Sequence, residues 1–520
     1  MRSDAPVLIA QVDPPTLARG GDWYYRTFGP GRGLAAHAGA YVVNCDNVHR
    51  RRWEIMREAD VLVLNTVCDP DLLPLLRERR SQHKLTVYEL SDDVDGLPPW
   101  NPVHAYFANP DNLLLFRRLA HSCDAMQCST AELERLYGYL APATVVFQNQ
   151  LLVLPPPRAE PDRDEVVVGW GGSSGHLEDM SALAEPLGQW LASRPDVRLH
   201  LMCSDAIWRA FERVPEDRRT RTLPGDIDRY YAFLSDLDVG IAPLRDTAFN
   251  RSRSDVKFLE FAAHGVAPVV QHLVPYLDTV QPDRTGWMFR THEELIQRLT
   301  VLADDPASRR RLASAAYDYV SRHRREENHS VERLTFYRRW LERVGHTPRD
   351  AESCVATFAR LTRGEGVEVA GRHALLQPTS FERLVHDALV LVGLEDRVAD
   401  ARTLLREAVA IEPSDYLPHL VLGSVEGAIE PLDQALRLHA SSLQARFALG
   451  WEHSKRGDLR RALESFLAAA QAFPEYEMPY VHCARVLHRV GRSEEAAEFE
   501  RYGAVLAAGL TRPPATAGAA

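Results

Sequence analysis

Two cations and one carboxylate stand close together in the stretch SRSDVKFLEFAAHGVAPVV, residues 252–270: Arg253, Lys257 and Glu260, followed by His264. Spacings of four, three and four place them in one stripe of a helix, while Val256, Leu259 and Ala263 make an apolar stripe for packing. Ser252 and Asp255 have capping-box spacing and Gly265 is a natural stop, so the sequence predicts a helix starting near Arg253 and closing at Gly265. Like charges at Arg253 and Lys257 in a first turn oppose each other and the positive end of the helix dipole, unless an anion lies there. A helix N-terminus bearing two cations suits a diphosphate. Lysine is rare in this chain, occurring only at Lys84, Lys257 and Lys455, which singles out Lys257. The alternative is a solvated face in which Glu260 partly neutralises Lys257.

A glycine-rich loop, GWGGSSGHLEDM, offers a second set of groups. Gly171 and Gly172 let a backbone approach a ligand, and Ser173 and His176 supply groups for phosphate or sugar hydroxyls. Glycines serve tight strand-to-helix turns equally well, so the loop alone does not define a site. Arg26, in the segment after the first strand, is a further cation within reach of a shared cleft; its alternative is an ordinary surface arginine.

Positioning these groups falls to two series of β-rich runs. VLIAQVD, AYVVNC, ADVLVLNT, LTVYELS, DAMQCST and ATVVFQNQ, mostly separated by helical or loop segments, give a Rossmann-like domain over residues 1–155. After the proline cluster LPPPRAEPDRDE, which has linker composition, VVVGWGG, VRLHLMC, LSDLDVGIAPL, GVAPVVQ and TGWMFR give a second over 156–344, closed by the helix SVERLTFYRRWLERV. Two such domains in tandem turn their strand ends toward one cleft, where ligands of these sheets bind. Residues 345–380 are weakly patterned and read as a linker.

At 520 residues the chain needs several cores. A net charge of −11 argues against a nucleic-acid partner, which calls for a basic face. Seven scattered cysteines without a CxxC suit reduced thiols and a cytoplasmic protein. No apolar run approaches the ~20 residues of a membrane span, and VLIAQV is too short for a signal-peptide core; peripheral membrane contact stays compatible with the sequence.

Residues 238–289, DVGIAPLRDTAFNRSRSDVKFLEFAAHGVAPVVQHLVPYLDTVQPDRTGWMF, resemble the donor-binding half of GT-B-fold glycosyltransferases of the large retaining family (family 4-like, group 1) that includes sucrose, glycogen and mannosyl transferases. The resemblance extends over residues 1 to about 344 and is specific in 238–289. It implies a metal-independent, retaining hexosyltransferase that needs no cofactor besides a nucleoside-diphosphate sugar. It further implies that Glu260 binds ribose hydroxyls, that Lys257 and Arg253 neutralise the leaving diphosphate, and that Ser254 adds a hydroxyl or amide. Gly20 and Gly21 correspond to the first-domain glycine loop facing the donor. Two departures stand out: Ser252 occupies the first of the family's paired carboxylate positions, and the 171–176 loop lacks the family's arginine and lysine. Asp93 and Asp95, in YELSDDVDGLP, have the DxD spacing that holds a metal in the other large glycosyltransferase fold. In a two-Rossmann protein they read as a strand-end loop near the acceptor, or as a simple turn.

A helical repeat follows at 381–510. Gly423, Gly457 and Gly491 are 34 apart, as are Ala428, Ala462 and Ala496, while Leu432 with Phe466 and Ala435 with Ala469 share columns. An earlier unit fits through Ala401, Leu405, Ala408 and Pro413 but lies 27 residues before the next, which predicts a shortened first helix in the repeat after it. Period and small residues resemble tetratricopeptide repeats, whose stacked hairpins present a curved surface to a protein partner. Residues 511–520 read as a disordered tail. The preferred expectation is a glycosyltransferase acting on a glycan or on a protein presented by the repeats. The competing class is a non-catalytic scaffold on a decayed transferase; a dinucleotide oxidoreductase ranks last, since ARGGDW lacks GxGxxG.

Overall fold

The computed structural model describes residues 5–15, 19–158, 163–393 and 397–511. Six parallel strands, β1 (Leu8–Asp13), β2 (Tyr41–Asp46), β3 (Val61–Asn65), β4 (Leu85–Leu90), β5 (Ala125–Cys128) and β6 (Thr144–Val146), form the first sheet in the order β2-β1-β3-β4-β5-β6. β1, β3, β4 and β5 are buried along their whole length, as expected for parallel strands covered on both faces. The second sheet, β7 (Val166–Gly171), β8 (Val197–Met202), β9 (Arg219–Thr222), β10 (Val239–Ala242), β11 (Ala267–Gln271) and β12 (Trp287–Phe289), runs β12-β11-β10-β7-β8-β9, all parallel. Reversal of strand order next to β1 and next to β7 opens a crevice at the strand C-termini of each sheet.

The segment read as a linker, residues 345–380, is structured. Helix Ala351–Leu361 places Cys354, Phe358 and Leu361 in the first core, and β13 (Val367–Ala370) and β14 (His373–Leu376) extend the first sheet. β14 pairs parallel with β2, and β13 folds back antiparallel on β14. Nor does the helix Glu326–Arg343 close the second domain: Leu334, Tyr337 and Leu341 pack with Val7, Ile9, Leu34 and Val42 under the first sheet. The chain therefore crosses between domains twice, and the crossings meet. Leu151 N–H donates to Arg324 C=O at 2.8 Å, and Glu326 N–H donates to Leu151 C=O at 3.0 Å.

Helix pairs from Ser380 to Ala508 stack as expected of tetratricopeptide-like repeats. The turn glycines with positive φ are Gly427, Gly457 and Gly491, however, not Gly423. Gly423 lies inside the helix Tyr416–Glu426, where Leu432 leaves no space for a Cβ. One helical turn is missing from the start of the second helix of that repeat, Ile429–Leu438, which has 10 residues against 14 in Leu459–Ala472. The shortened helix is thus mainly the second of the pair, and Ala428 serves as its N-cap residue. Of the C-terminal tail, residues 512–520 lie outside the described residues.

Candidate functional site

The predicted helix at the cleft is broken into two. Helix Ala248–Ser252 ends at Arg253, which is extended (φ −64°, ψ 160°), and a second helix runs Val256–Ala263. The capping box does not form, because both of its side chains are engaged elsewhere. Ser252 Oγ donates to Phe249 C=O at 2.7 Å. Asp255 is held by Arg324 at 2.5 and 3.1 Å and accepts from Thr279 Oγ1 at 2.7 Å. Arg324 also donates to Asn149 C=O at 2.8 Å, so the second crossing between domains fixes the start of the helix. Arg253 therefore stands off the helical stripe, and the like-charge argument for positions 253 and 257 does not apply to it. The helix closes just before Gly265, whose φ is +65°.

Glu260 is 4% exposed. Its Oε2 accepts from Tyr230 Oη at 2.7 Å and from Lys257 Nζ at 3.1 Å, and Lys257 also donates to Tyr230 Oη at 2.8 Å. Its Oε1 accepts from Tyr25 Oη of the first domain at 3.2 Å. His264 is buried with Nδ1 2.8 Å from Glu260 C=O, which makes it a support for the helix end. Gly171 serves this arrangement by absence: a Cβ there would lie 2.8 Å from Phe233 and 2.9 Å from Tyr230. Gly172 would similarly drive a Cβ to 2.6 Å from the Trp170 ring.

Arg253 lies over the Phe249 ring at 4.7 Å, beside Gly175. His176 is buried with Nδ1 2.9 Å from Asp179 Oδ2, and burial, then the nearby charge of Arg253, push its imidazole down to about 4; Lys257 adds in the same direction. Both cations therefore bear on one neutral histidine although they share no helix face. Ser173 is exposed at the loop tip. Ser254 Oγ accepts from Asn149 Nδ2 at 2.9 Å. Gly20 and Gly21 are exposed, with open space where side chains would be.

Arg26 does not reach the cleft. It is 1% exposed, paired with Glu89 at 2.7 Å and donating to Phe147 C=O and Asn149 Oδ1 at 2.7 and 2.8 Å. It braces the first sheet and, through Asn149, the Ser254 loop. Asp93 is buried, accepting from Tyr137 Oη at 2.5 Å and Gly96 N–H at 3.1 Å, while Asp95 pairs with Arg117 at 2.7 Å. The DxD is an internally satisfied turn, and among the described residues no group of three or more acidic, histidine or cysteine side chains is arranged to hold a metal.

Several cleft residues are absent from the sequence reading. Asp92 faces Arg253, and burial pushes its carboxyl up to about 6. Asp13, at the end of β1, accepts from Thr27 Oγ1 and Asn65 Nδ2, and burial raises it to about 8. Trp100 Nε1 donates to Gly175 C=O at 3.3 Å across the cleft, beside a cavity of about 190 Å³ lined by Pro98, Trp100, Asp179, Arg245, Phe249 and Asn250. The twin tyrosine pairs, Tyr24–Tyr25 and Tyr230–Tyr231, were the signal available in the sequence for the contacts around Glu260.

Two facing parallel-sheet domains with converging strand ends, followed by stacked helix pairs, define a two-Rossmann fold of the GT-B type with a tetratricopeptide-like C-terminal region. Residues 184–335 match the family model described as glycosyl transferase-like. Among solved structures, sucrose-phosphate synthase from Thermosynechococcus elongatus is 16% identical, covering 65% of this chain and all of its own, at a TM-score of 0.48. HepE of Anabaena, solved in complex with UDP-glucose, is 13% identical over 64% of this chain and all of its own, at 0.46. The repeats are similar to MamA, 19% identical over 24% of this chain and 72% of its own, at 0.23. No curated protein matches the sequence significantly. Among the described residues no helix is long and apolar enough to cross a membrane.

Proposed function

We propose that this protein transfers a hexosyl group from a nucleoside-diphosphate donor to an acceptor, with retention and without a metal. The observation that carries the reading is the convergence of Lys257, Glu260 and Arg253 at the strand ends of the second domain, inside the segment that matches the glycosyl transferase-like family. Glu260 holds the ribose hydroxyls, and Lys257 and Arg253 face the diphosphate. Fixed cations stabilise the charge that builds on the β-phosphate as it leaves more strongly than the charge of the ground state, which is the requirement for rate enhancement. Retention rests on the family resemblance. The two glycine loops, Gly20–Gly21 and Gly171–Gly172 with Ser173, flank the donor, and His176 and Ser254 support the diphosphate side.

The acceptor side is the first domain, residues 1–155 together with the helix and strands that return to it. A protein acceptor engaged by the repeats is the form we favour, and a glycan is the alternative. Asp93 drops out as a direct acceptor contact, and Arg26 as a cleft cation, because both are buried on internal partners; Asp95, exposed beside Arg117, stays an acceptor-side candidate. All seven cysteines are free thiols, which supports a reducing, cytoplasmic setting. A non-catalytic scaffold is favoured by one observation: the loop Gly171–His176 has no arginine or lysine for the phosphates.

Calorimetric titration with a panel of nucleoside diphosphates, uridine diphosphate included, tests the reading. One nucleotide is expected to bind in the micromolar range, with Lys257→Ala and Glu260→Ala each weakening it at least tenfold. A folded protein that binds none of them sinks the donor site and leaves the scaffold.

A further inference from the structure

Glu260 is held unevenly. Oε2 has two partners from its own domain, Tyr230 at 2.7 Å and Lys257 at 3.1 Å, whereas the bond to Oε1 is the longest of the three, 3.2 Å, and comes from the other domain through Tyr25. Glu260 is 4% exposed and Tyr25 is 3% exposed, so this interdomain bond is buried and Tyr25 occupies a position at Oε1 that a ligand hydroxyl would need. Tyr25 belongs to a wide π-helical turn, Tyr24–Phe28, that follows Gly20 and Gly21, where the space beside the backbone is open. Its neighbour Tyr24 meets Tyr231 edge-on at 6.2 Å, and Tyr231 in turn lies 4.8 Å from His264. The first domain thus grips the donor helix through a cluster of aromatic rings centred on one carboxylate.

We propose that Tyr25 is a donor-positioning residue: its hydroxyl holds the Glu260 oxygen that a ribose hydroxyl takes over, so that donor binding exchanges an interdomain hydrogen bond for a ligand one. The inference rests on Glu260 being the ribose carboxylate. Tyr230 and Lys257 keep the carboxylate oriented throughout, because they hold the other oxygen, and only the contact that spans the two domains is broken. An occupied oxygen makes the nucleotide compete with Tyr25. Removing the competitor strengthens binding by part of the worth of one hydrogen bond to a charged group, roughly three- to tenfold in Kd.

The test is a cycle between one protein hydroxyl and the ligand hydroxyls. Wild type and Tyr25→Phe are titrated with the nucleoside diphosphate that binds most tightly in the panel, and with its 2′,3′-dideoxy form. Phenylalanine keeps the ring packing and removes only the hydroxyl. The expected result is three- to tenfold tighter binding of the ribonucleotide by the variant and no change for the dideoxy form. An equal change for both nucleotides, or none for either, overturns the proposal. Should Tyr25→Phe fail to fold, hydrogen exchange in the wild-type chain decides: the ribonucleotide is expected to speed exchange over residues 21–33, and slowed or unchanged exchange there overturns the role of Tyr25. Failure of wild type to bind any nucleotide defeats the donor reading and this proposal with it, whereas ribonucleotide binding without the difference defeats Tyr25 alone.

Discussion

At the scale of residues, the cleft keeps its charged groups in unlike states. His176 is buried against Trp170 and faces Arg253, and its imidazole falls from 6.5 to about 4. A base whose folded pKa lies below its unfolded value binds fewer protons in the native state, so it costs nothing above pH 6.5 and destabilises the fold as pH drops toward 4. The full shift amounts to on the order of 3 kcal/mol at 1.36 kcal/mol per unit. His176→Asn keeps a donor for Asp179 and removes the titration. Its melting temperature is therefore expected to fall less than that of wild type between pH 7 and pH 4.5; parallel declines would show that His176 does not govern the acid limb.

At the scale of elements, close approach between helices decides where glycine is required. Gly450, in the helix Leu443–Lys455, faces the ring of Phe466, and a Cβ there would lie 2.5 Å from it. Phe466 is 1% exposed and its ring stacks on His482 at 4.9 Å, so it has nowhere to retreat. Overpacking of about 1–3 kcal/mol is then set against the roughly 1 kcal/mol that alanine gains over glycine in a helix, and confinement of the ring puts the first figure at its upper end. Gly450→Ala should lower the melting temperature. An unchanged melt would mean that Phe466 finds another rotamer.

At the scale of the molecule, one edge of the repeat stack is spent on the first domain. Tyr416 Oη, Ser442 Oγ and Gln444 N–H all donate to Asp71, at 2.9, 2.8 and 2.9 Å. Arg118 pairs with Glu477 at 2.8 Å, and Leu443, Phe447 and Met478 join the core that contains Leu72, Leu73 and Phe116. The repeats are thus built onto the first domain, and the polypeptide partner proposed above would be held by what remains open, including the half-exposed Trp451. Arg52 and Asp415, 1% and 6% exposed, form a buried pair across this junction at 3.1 Å. Arg52→Met leaves Asp415 buried without its cation, which costs about 3–5 kcal/mol. The expected readout is a lower melting temperature; a wild-type melt would mean that the Asp71 and Arg118–Glu477 contacts and the apolar packing hold the junction without the Arg52–Asp415 pair.

Eleven of the twelve strands of the two main sheets were legible because a parallel strand covered on both faces must be a continuous apolar run, as in VLVLN and VVVGWG. β9, RTRT, escaped because it is a half-buried edge strand whose arginines run along the protein surface, and β13–β14 because their pairing with β2 is long-range and leaves little local pattern. The types and chain neighbourhood of Lys257 and Glu260 were likewise local facts, set by residue spacing on one helix. What lies across from them was not: a sequence gives the charge of Arg26, Asp93 and Asp255 but not which partner neutralises each one. Two crossings between the domains, a helix returned to the first sheet and a tyrosine brought 3.2 Å from a carboxylate 235 residues away are products of tertiary packing. Sequence alone therefore determined the two sheets, the repeats and the stretch that carries the charges. Only the tertiary structure decided which of those charges face the cleft, because burial and pairing depend on segments far apart in the chain.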